Sequence, residues 1–273
     1  MAALPIRIVS DVHFAERASR VRALSQLRPL ADGVSTLIFN GDTMDTRPGQ
    51  DNERTARIRR EVLDYFGSCA TPVVFLTGNH DPDLTPQHSM ELASGRVLVT
   101  HGDVLFDNIV PWSTEAKVMR LKVIQALAAL PEDGSSRLEG RLDAFRCAAA
   151  SIHQRHQSEQ DTLRYAIRLA GDTVWPPNRV LKILRAWREA PGRAAALARR
   201  HRPKAKFIVI GHTHRPGVWR TALGIVVVNT GSFCRPFGAM AAEVGPCTLI
   251  VRRIVQKGAD FHPGAKVAEF PLS

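Results

Sequence analysis

An α/β fold built on a largely parallel sheet is what this chain predicts, and three patterns predict it. Short apolar runs, IRIVS (6–10), STLIFN (35–40), PVVFLT (72–77) and RVLVT (96–100), recur through the amino-terminal part. Segments with helical spacing separate them, and strand–helix–strand order favours right-handed crossovers between parallel strands. Strand-like runs return at KFIVI (206–210), GIVVVN (224–229) and CTLIVRRI (247–254). The last two have no helix between them and read as an antiparallel portion.

The helical segments follow from spacing and from proline. ERASRVRALSQLR (16–28) sets Val21, Leu24 and Leu27 on one face before Pro29. ERTARIRREVLDYF (53–66) repeats Ile58, Val62 and Phe66 every four residues. Strand signals then vanish from about residue 112 to 203. Helices are predicted there over 114–130 (before Pro131), 138–170 in one or two pieces, 178–190 (before Pro191) and 193–201. This stretch holds 17 Lys and Arg against 9 Asp and Glu, so it supplies +8 of the chain's +11. It is a basic helical insertion, expected to form a cap subdomain within a single domain spanning residues 1–273.

Composition narrows the function classes. Hydrophobic residues at 44% and charged residues at 23% are those of an ordinary globular protein. Cys69, Cys147, Cys234 and Cys247 lack CxxC spacing, which argues against a zinc knuckle or a dense disulfide scaffold. The amino terminus runs straight into Ile6–Ser10 without the basic and apolar regions of a signal peptide. No segment approaches the ~20 apolar residues of a membrane-spanning helix. A cytoplasmic location is expected, at most peripheral to the inner face of a membrane. The net charge of +11 suits polyanionic partners: phosphorylated substrates, anionic lipid or nucleic acid.

Chemistry gathers where the apolar runs end. Ile6–Ser10 leads to Asp11 and His13, and Leu37–Asn40 to Gly41 and Asp42. Val73–Thr77 leads to Asn79, His80 and Asp81, Val97–Thr100 to His101, and Phe207–Ile210 to His212 and His214. Side chains at the carboxyl ends of parallel strands converge on one rim, where ligands bind in open α/β sheets. Hard Asp oxygens, neutral imidazoles and an Asn carbonyl suit Mn²⁺, Fe or Zn²⁺ better than Ca²⁺ or a thiolate-bound metal. In an extended GHTH segment, His212 and His214 would point the same way and Thr213 the other.

The ordered series DVH, GDTMD, GNHD, HGD and GHTH resembles the calcineurin-like metallophosphoesterase family over residues 6–110 and 206–232. The resemblance implies an αββα sandwich of two mixed sheets flanked by helices, interrupted here by the insertion. It implies two divalent cations, with manganese preferred and iron or zinc possible. One would lie on Asp11, His13, Asp42 and His214, the other on Asp42, Asn79, His101 and His212, with Asp42 bridging. His80 would act as a catalytic residue that is not a ligand, protonating the leaving oxygen or stabilising the phosphorane-like charge, with Asp81 orienting its ring. Asp45 and Asp103 would hold ligand histidines in the right tautomer. The reaction implied is phosphoester or phosphoanhydride hydrolysis by a hydroxide held between the cations, whose residual positive charge attracts a phosphoryl oxygen.

GHTHRP and the helical insertion also resemble the hydrolases of UDP-2,3-diacylglucosamine, although GNHD stands here where that branch reads GNRD. In that reading the cap binds a lipid-linked diphosphate, and Val118, Leu121, Ile124 and Leu127 cover acyl chains. The alternatives are a phosphodiesterase or nuclease using the same basic surface, and an inert scaffold of the same fold. The remaining histidines, His88, His153, His156, His201 and His262, read as solvated residues. Trp112, Trp175, Trp187 and Trp219 read first as packing residues and second as cleft walls.

Overall fold

The computed structural model describes residues 3–49, 51–131, 133–154 and 178–272. One sheet contains the parallel strands β1 (Ile6–Val9), β2 (Thr36–Asn40) and β3 (Val73–Leu76). Beside β1 it continues antiparallel with β9 (Met240–Val244), β10 (Thr248–Lys257) and β11 (Asp260–Pro271). The second sheet pairs β5 (Val97–Thr100), β6 (Phe207–Ile210) and β8 (Val226–Asn229) in parallel. β4 (Ser89–Leu92) and β7 (Gly217–Arg220) run antiparallel at its edges.

Side-chain alternation along these strands builds three apolar layers. Ile8, Ile38, Val97, Val99, Phe207 and Val209 meet between the two sheets. The intervening residues Val9, Leu37 and Phe39 face outward, onto Val62 and Phe66 of helix α1 (Asn52–Gly67). From the other sheet Leu98, Ile208 and Ile210 face outward onto the insertion. Helices α2 (Ala116–Ala128), α3 (Leu138–Ala150) and α4 (Asn178–His201) share that last layer through Met119, Phe145 and Ala194. The sandwich is therefore αββα, with two mixed sheets as expected. Among the described residues no helix is long and apolar enough to cross a membrane, and all four cysteines are unpaired.

Several local expectations are corrected. Residues 16–28 do not form an α-helix; a 3-10 helix spans Leu24–Leu30 and includes Pro29. Upstream backbone is committed elsewhere, since Ser19 bridges Cys234 and Arg20 N–H donates to Phe233 O at 3.0 Å. The Gln26 side chain accepts from Arg22 and Ala23 N–H, which starts the helix late. Where two helices were expected around Pro191, α4 is continuous. Proline leaves the carbonyl four residues earlier without its helical donor, and Arg215 Nη1 lies 3.4 Å from that oxygen, on Trp187. Packing of Ala190, Pro191, Ala194 and Ala195 against the second sheet holds the helix across the break. α3 ends at Ala150, and residues 155–170 of the predicted helix lie outside the described residues. β8 and β10, grouped by sequence, belong to different sheets; only β10 is wholly antiparallel to its neighbours.

β9 (MAAEV) shows why some strands carry no apolar signature. Its Glu243 is buried and accepts from Arg7 Nε and Nη2 on β1, at 2.9 and 2.8 Å, and from Arg252 Nε on β10, at 2.8 Å. Replacing Glu243 with Leu leaves the buried Arg7 guanidinium without its anion. A loss of about 3–5 kcal/mol is expected, measured as a lower urea midpoint with an unchanged slope.

Candidate metal centre

The parallel strands of both sheets end on one rim, and each exit turns sharply. Asp11, His13, Asp42, His212 and His214 all have positive φ, from 49° to 65°. Non-glycine residues in this region cost about 1–3 kcal/mol each and persist where surrounding structure over-determines them. GHTH is therefore not an extended segment as expected. Successive left-handed turns send its two imidazoles to different partners. His214 joins Asp11 and His13, and His212 joins Asp42 and His101, with the donor atoms in each trio within 4.8 Å of one another.

The two trios adjoin. His13 Nε2 lies 3.2 Å from His214 Nε2 and 3.8 Å from Asp42 Oδ2. His101 Nε2 lies 3.3 Å from the same Asp42 oxygen, and His214 Nε2 lies 3.1 Å from Asp11 Oδ1. Asp42 thus stands between the trios. Glycines make this approach possible: a Cβ on Gly41 would sit 2.5 Å from His101 Nδ1, and one on Gly78 would strike the Asp42 carboxylate.

Three imidazoles have their rear nitrogen fixed. His101 Nδ1 lies 2.9 Å from Asn40 O, His212 Nε2 lies 2.9 Å from Ile109 O, and His13 Nδ1 lies 2.9 Å from Glu16 Oε1. A ring that donates from one nitrogen presents the lone pair of the other, which is how metal-binding histidines are oriented. Ile109, a β-branched residue, holds its carbonyl there at φ 55°. Asn79 Oδ1, a buried atom of the expected ligand set, has no hydrogen-bond partner among the described residues, and His101 Nε2 faces only the Asp42 carboxylate, at 3.3 Å and without hydrogen-bond geometry. Such an orphaned atom is costly unless something else engages it. The donor set, its fixed tautomers and the orphaned Asn79 oxygen fit a pair of divalent cations.

Electrostatics point the same way. Burial pushes the Asp42 carboxyl up, but His101, His80 and His13 override it and hold Asp42 well below the usual range. Burial likewise opposes charge on His101, yet Asp42 and Asp11 pull its imidazole up to about 10. His212, buried and beside His101, is pushed down to about 4. The buried carboxylates thus favour positive charge beside Asp42, while His212 is held neutral.

Asp81 has a different job from the one expected. Asp81 does not orient the His80 ring. It is fully buried, and its oxygens accept the backbone N–H of Gly78, Asp42 and Thr43 at 2.7, 3.0 and 2.6 Å. It clamps the β2 exit to the β3 exit. Burial, reinforced by Asp42, pushes it up to about 6. The His80 ring is held instead by Arg47 Nη2, which donates to its Nδ1 at 2.9 Å, with Asp45 Oδ2 3.2 Å from the same nitrogen and fixing the Arg47 guanidinium. Arg47 is itself paired with Asp45 at 3.0 and 2.6 Å, and His80 N–H donates to Asp42 Oδ1 at 2.8 Å. Asp103, the other expected partner for ligand histidines, accepts from Val104 N–H at 3.1 Å and makes no hydrogen bond to a histidine among the described residues.

Glu16 and Arg47 were missed by sequence reasoning. Glu16 stands three residues after His13, the one spacing that hinted at it, within a segment read as helix. Nothing in the sequence links Arg47 to His80. Replacing Arg47 with Met should lower kcat about 10–100-fold with metal content unchanged, as measured by steady-state kinetics beside elemental analysis.

A cavity of about 240 Å³ opens over the centre, with Asp42, Asn79, His80, His212 and His214 at its base. Trp112, Trp187 and Phe237 form its walls. The Trp112 ring lies 5.8 Å from that of His212, and Phe237 lies 5.9 Å from both Trp187 and His214. Two tryptophans are therefore cleft residues. Trp219 packs under the Arg215 guanidinium, and Trp175 and His156 lie outside the described residues. His88 is not solvated: it meets Thr77 Oγ1 through Nδ1 and Asp143 at 3.3 Å through Nε2.

No curated protein matches the chain. Among solved structures it is similar to a dimetal phosphatase from Danio rerio, at 13% identity and TM-score 0.47, covering 100% of this chain and 99% of that one. It is also similar to vacuolar protein sorting 29 from Cryptosporidium parvum, at 12% identity and TM-score 0.45, covering 99% and 100%. A cold-active protein-tyrosine phosphatase from a Shewanella species aligns at 13% identity and TM-score 0.37, covering 99% and 81%. Residues 4–216, which include every side chain of both trios, match the family model of calcineurin-like phosphoesterases, and the chain belongs to that family.

Proposed function

We propose that the protein hydrolyses a phosphoester or phosphoanhydride with two divalent cations, manganese first among them. Asp11, His13, Asp42 and His214 would hold one cation, and Asp42, Asn79, His101 and His212 the other. The observation that carries this reading is the fixing of three ligand imidazoles from behind around the shared Asp42 carboxylate, with the buried Asn79 Oδ1 left without a hydrogen-bond partner among the described residues. When bound, such cations supply Lewis acidity toward phosphoryl oxygens and lower the pKa of a bound water. The chain's own residues do the rest. Arg47, fixed by Asp45, donates to His80 Nδ1, which keeps the ring proton on Nε2 to be given to the departing oxygen. Asp81 locks the loops that carry Asp42 and Asn79. Trp112, Trp187 and Phe237 exclude water from one side of the cleft.

The test is a metal-replete screen comparing p-nitrophenyl phosphate, bis-p-nitrophenyl phosphate, nucleotide-sugar diphosphates and single-stranded DNA. Turnover of at least one, abolished by chelation and restored by Mn²⁺, is expected. No turnover with Mn²⁺, Fe²⁺ or Zn²⁺ would leave the inert-scaffold reading standing.

A second reading has its own support. On α2, Val118, Leu121 and Ile124 are exposed at 48, 60 and 50%, and on α4 so are Leu181 and Leu184, at 68 and 50%. Of the α2 residues named as possible acyl contacts, only Leu127 packs on the body. Lys117, Arg120, Lys182, Arg185 and Arg193 line the groove between these helices. Apolar side chains beside cations suit a lipid-linked diphosphate and an anionic membrane surface, with the insertion as a cap and the protein at the cytoplasmic face. Hydrolysis of UDP-2,3-diacylglucosamine, together with binding to anionic but not neutral vesicles, supports it. A nuclease would instead cleave DNA, with binding that falls steeply as salt rises.

A further inference from the structure

A second cavity, of about 330 Å³, adjoins the cleft and shares Asn79, His80, Trp112 and Arg179 with it. Tertiary structure assembles it from the loops after β1 and β2, the first turns of α1 and the residues after α3. Four arginines line it, Arg17, Arg47, Arg54 and Arg179, together with His153. Three carboxylates also line it, Glu16, Asp45 and Glu115. All three have partners, among them Asp45 with Arg47 at 2.6 Å and Glu16 with His13 at 2.9 Å.

Arg54 differs. Among the described residues its guanidinium meets one acceptor, the neutral carbonyl of Ala15, at 3.3 Å. It is half-buried and sits on a braced wall. Asp51 caps α1 through Arg54 N–H at 2.8 Å. Gln154 Nε2 donates to Asp45 O and Arg47 O at 3.0 and 2.6 Å, tying the residues after α3 to the β2 loop. A guanidinium presented this way suits a phosphate-type oxyanion, whose geometry matches its fork of donors and whose charge strengthens each bond.

Resting on the phosphoesterase reading, we propose that this lobe is a subsite for a second phosphate of the substrate, with Arg54 as its principal contact. The preferred substrates then carry two phosphates, one at the aspartate–histidine centre and one in the arginine lobe, with His80 at the junction.

Two measurements test this. In the first, phosphate release from adenosine 3′,5′-bisphosphate is compared with release from each adenosine monophosphate. Arg54→Gln should lower the ratio of kcat/KM, bisphosphate over monophosphate, by about ten-fold or more, and Arg54→Lys should restore part of it. In the second, inorganic pyrophosphate is titrated calorimetrically into chelator-treated protein. Binding to the wild-type chain should weaken about ten-fold in Arg54→Gln, with unchanged circular dichroism. An unchanged substrate ratio, or pyrophosphate binding that is absent or indifferent to Arg54, overturns the subsite. Should no substrate turn over at all, the phosphoesterase reading fails, and the titration decides the subsite by itself.

Discussion

Replacing Asp42 with Ala should lower kcat/KM by about 10³-fold or more and reduce the metal content of the purified protein. Asp42 is 2% exposed and stands between the two trios, its Oδ2 3.3 Å from His101 Nε2 and 3.8 Å from His13 Nε2. Its Oδ1 also accepts the His80 N–H. A single substitution therefore removes the shared anion and loosens the catalytic loop. Elemental analysis of the variant after loading with Mn²⁺ checks the first effect. An Asp42→Ala protein that retained two metals per chain would sink the proposed bridging role.

The His80→Ala variant separates chemistry from metal binding. His80 lies at the base of the cleft, its Nδ1 accepting from Arg47, outside the two expected ligand sets although its ring nitrogen lies within 4.8 Å of donor atoms of His13 and Glu16. Its loss should lower kcat about 10²–10⁴-fold on an alkyl phosphoester, while metal content stays near normal. On a p-nitrophenyl ester, whose leaving oxygen needs little protonation, the fall should be smaller. A fall of equal size on both esters would show that His80 binds or orients the substrate rather than donating a proton.

The strand exits were legible in the sequence for a physical reason. A buried parallel strand must be a short apolar run, and a ligand at its carboxyl end must follow within a residue or two. Asp11, Asp42, His101 and His212 each obey that rule. β9 and β4 were not legible, because Glu243 is satisfied by arginines from two other strands and Ser89–Leu92 is a half-exposed edge. The late 3-10 turn at Leu24 was hidden too, since it depends on a bridge between Ser19 and Cys234 far along the chain.

Residue identity and order by themselves determined the class of fold, the family and the set of side chains offered to the centre. Only the tertiary structure decided how those side chains are divided and supported. The carbonyl behind His212, the Glu16 carboxylate behind His13 and the Arg47 guanidinium beside His80 all come from non-repeating backbone, and the carbonyl behind His101 from the last residue of β2. Periodicity records which way a regular element faces; it cannot record where a loop carbonyl points. The division of labour at this centre is a matter of such loops, and it becomes visible only once the chain is folded.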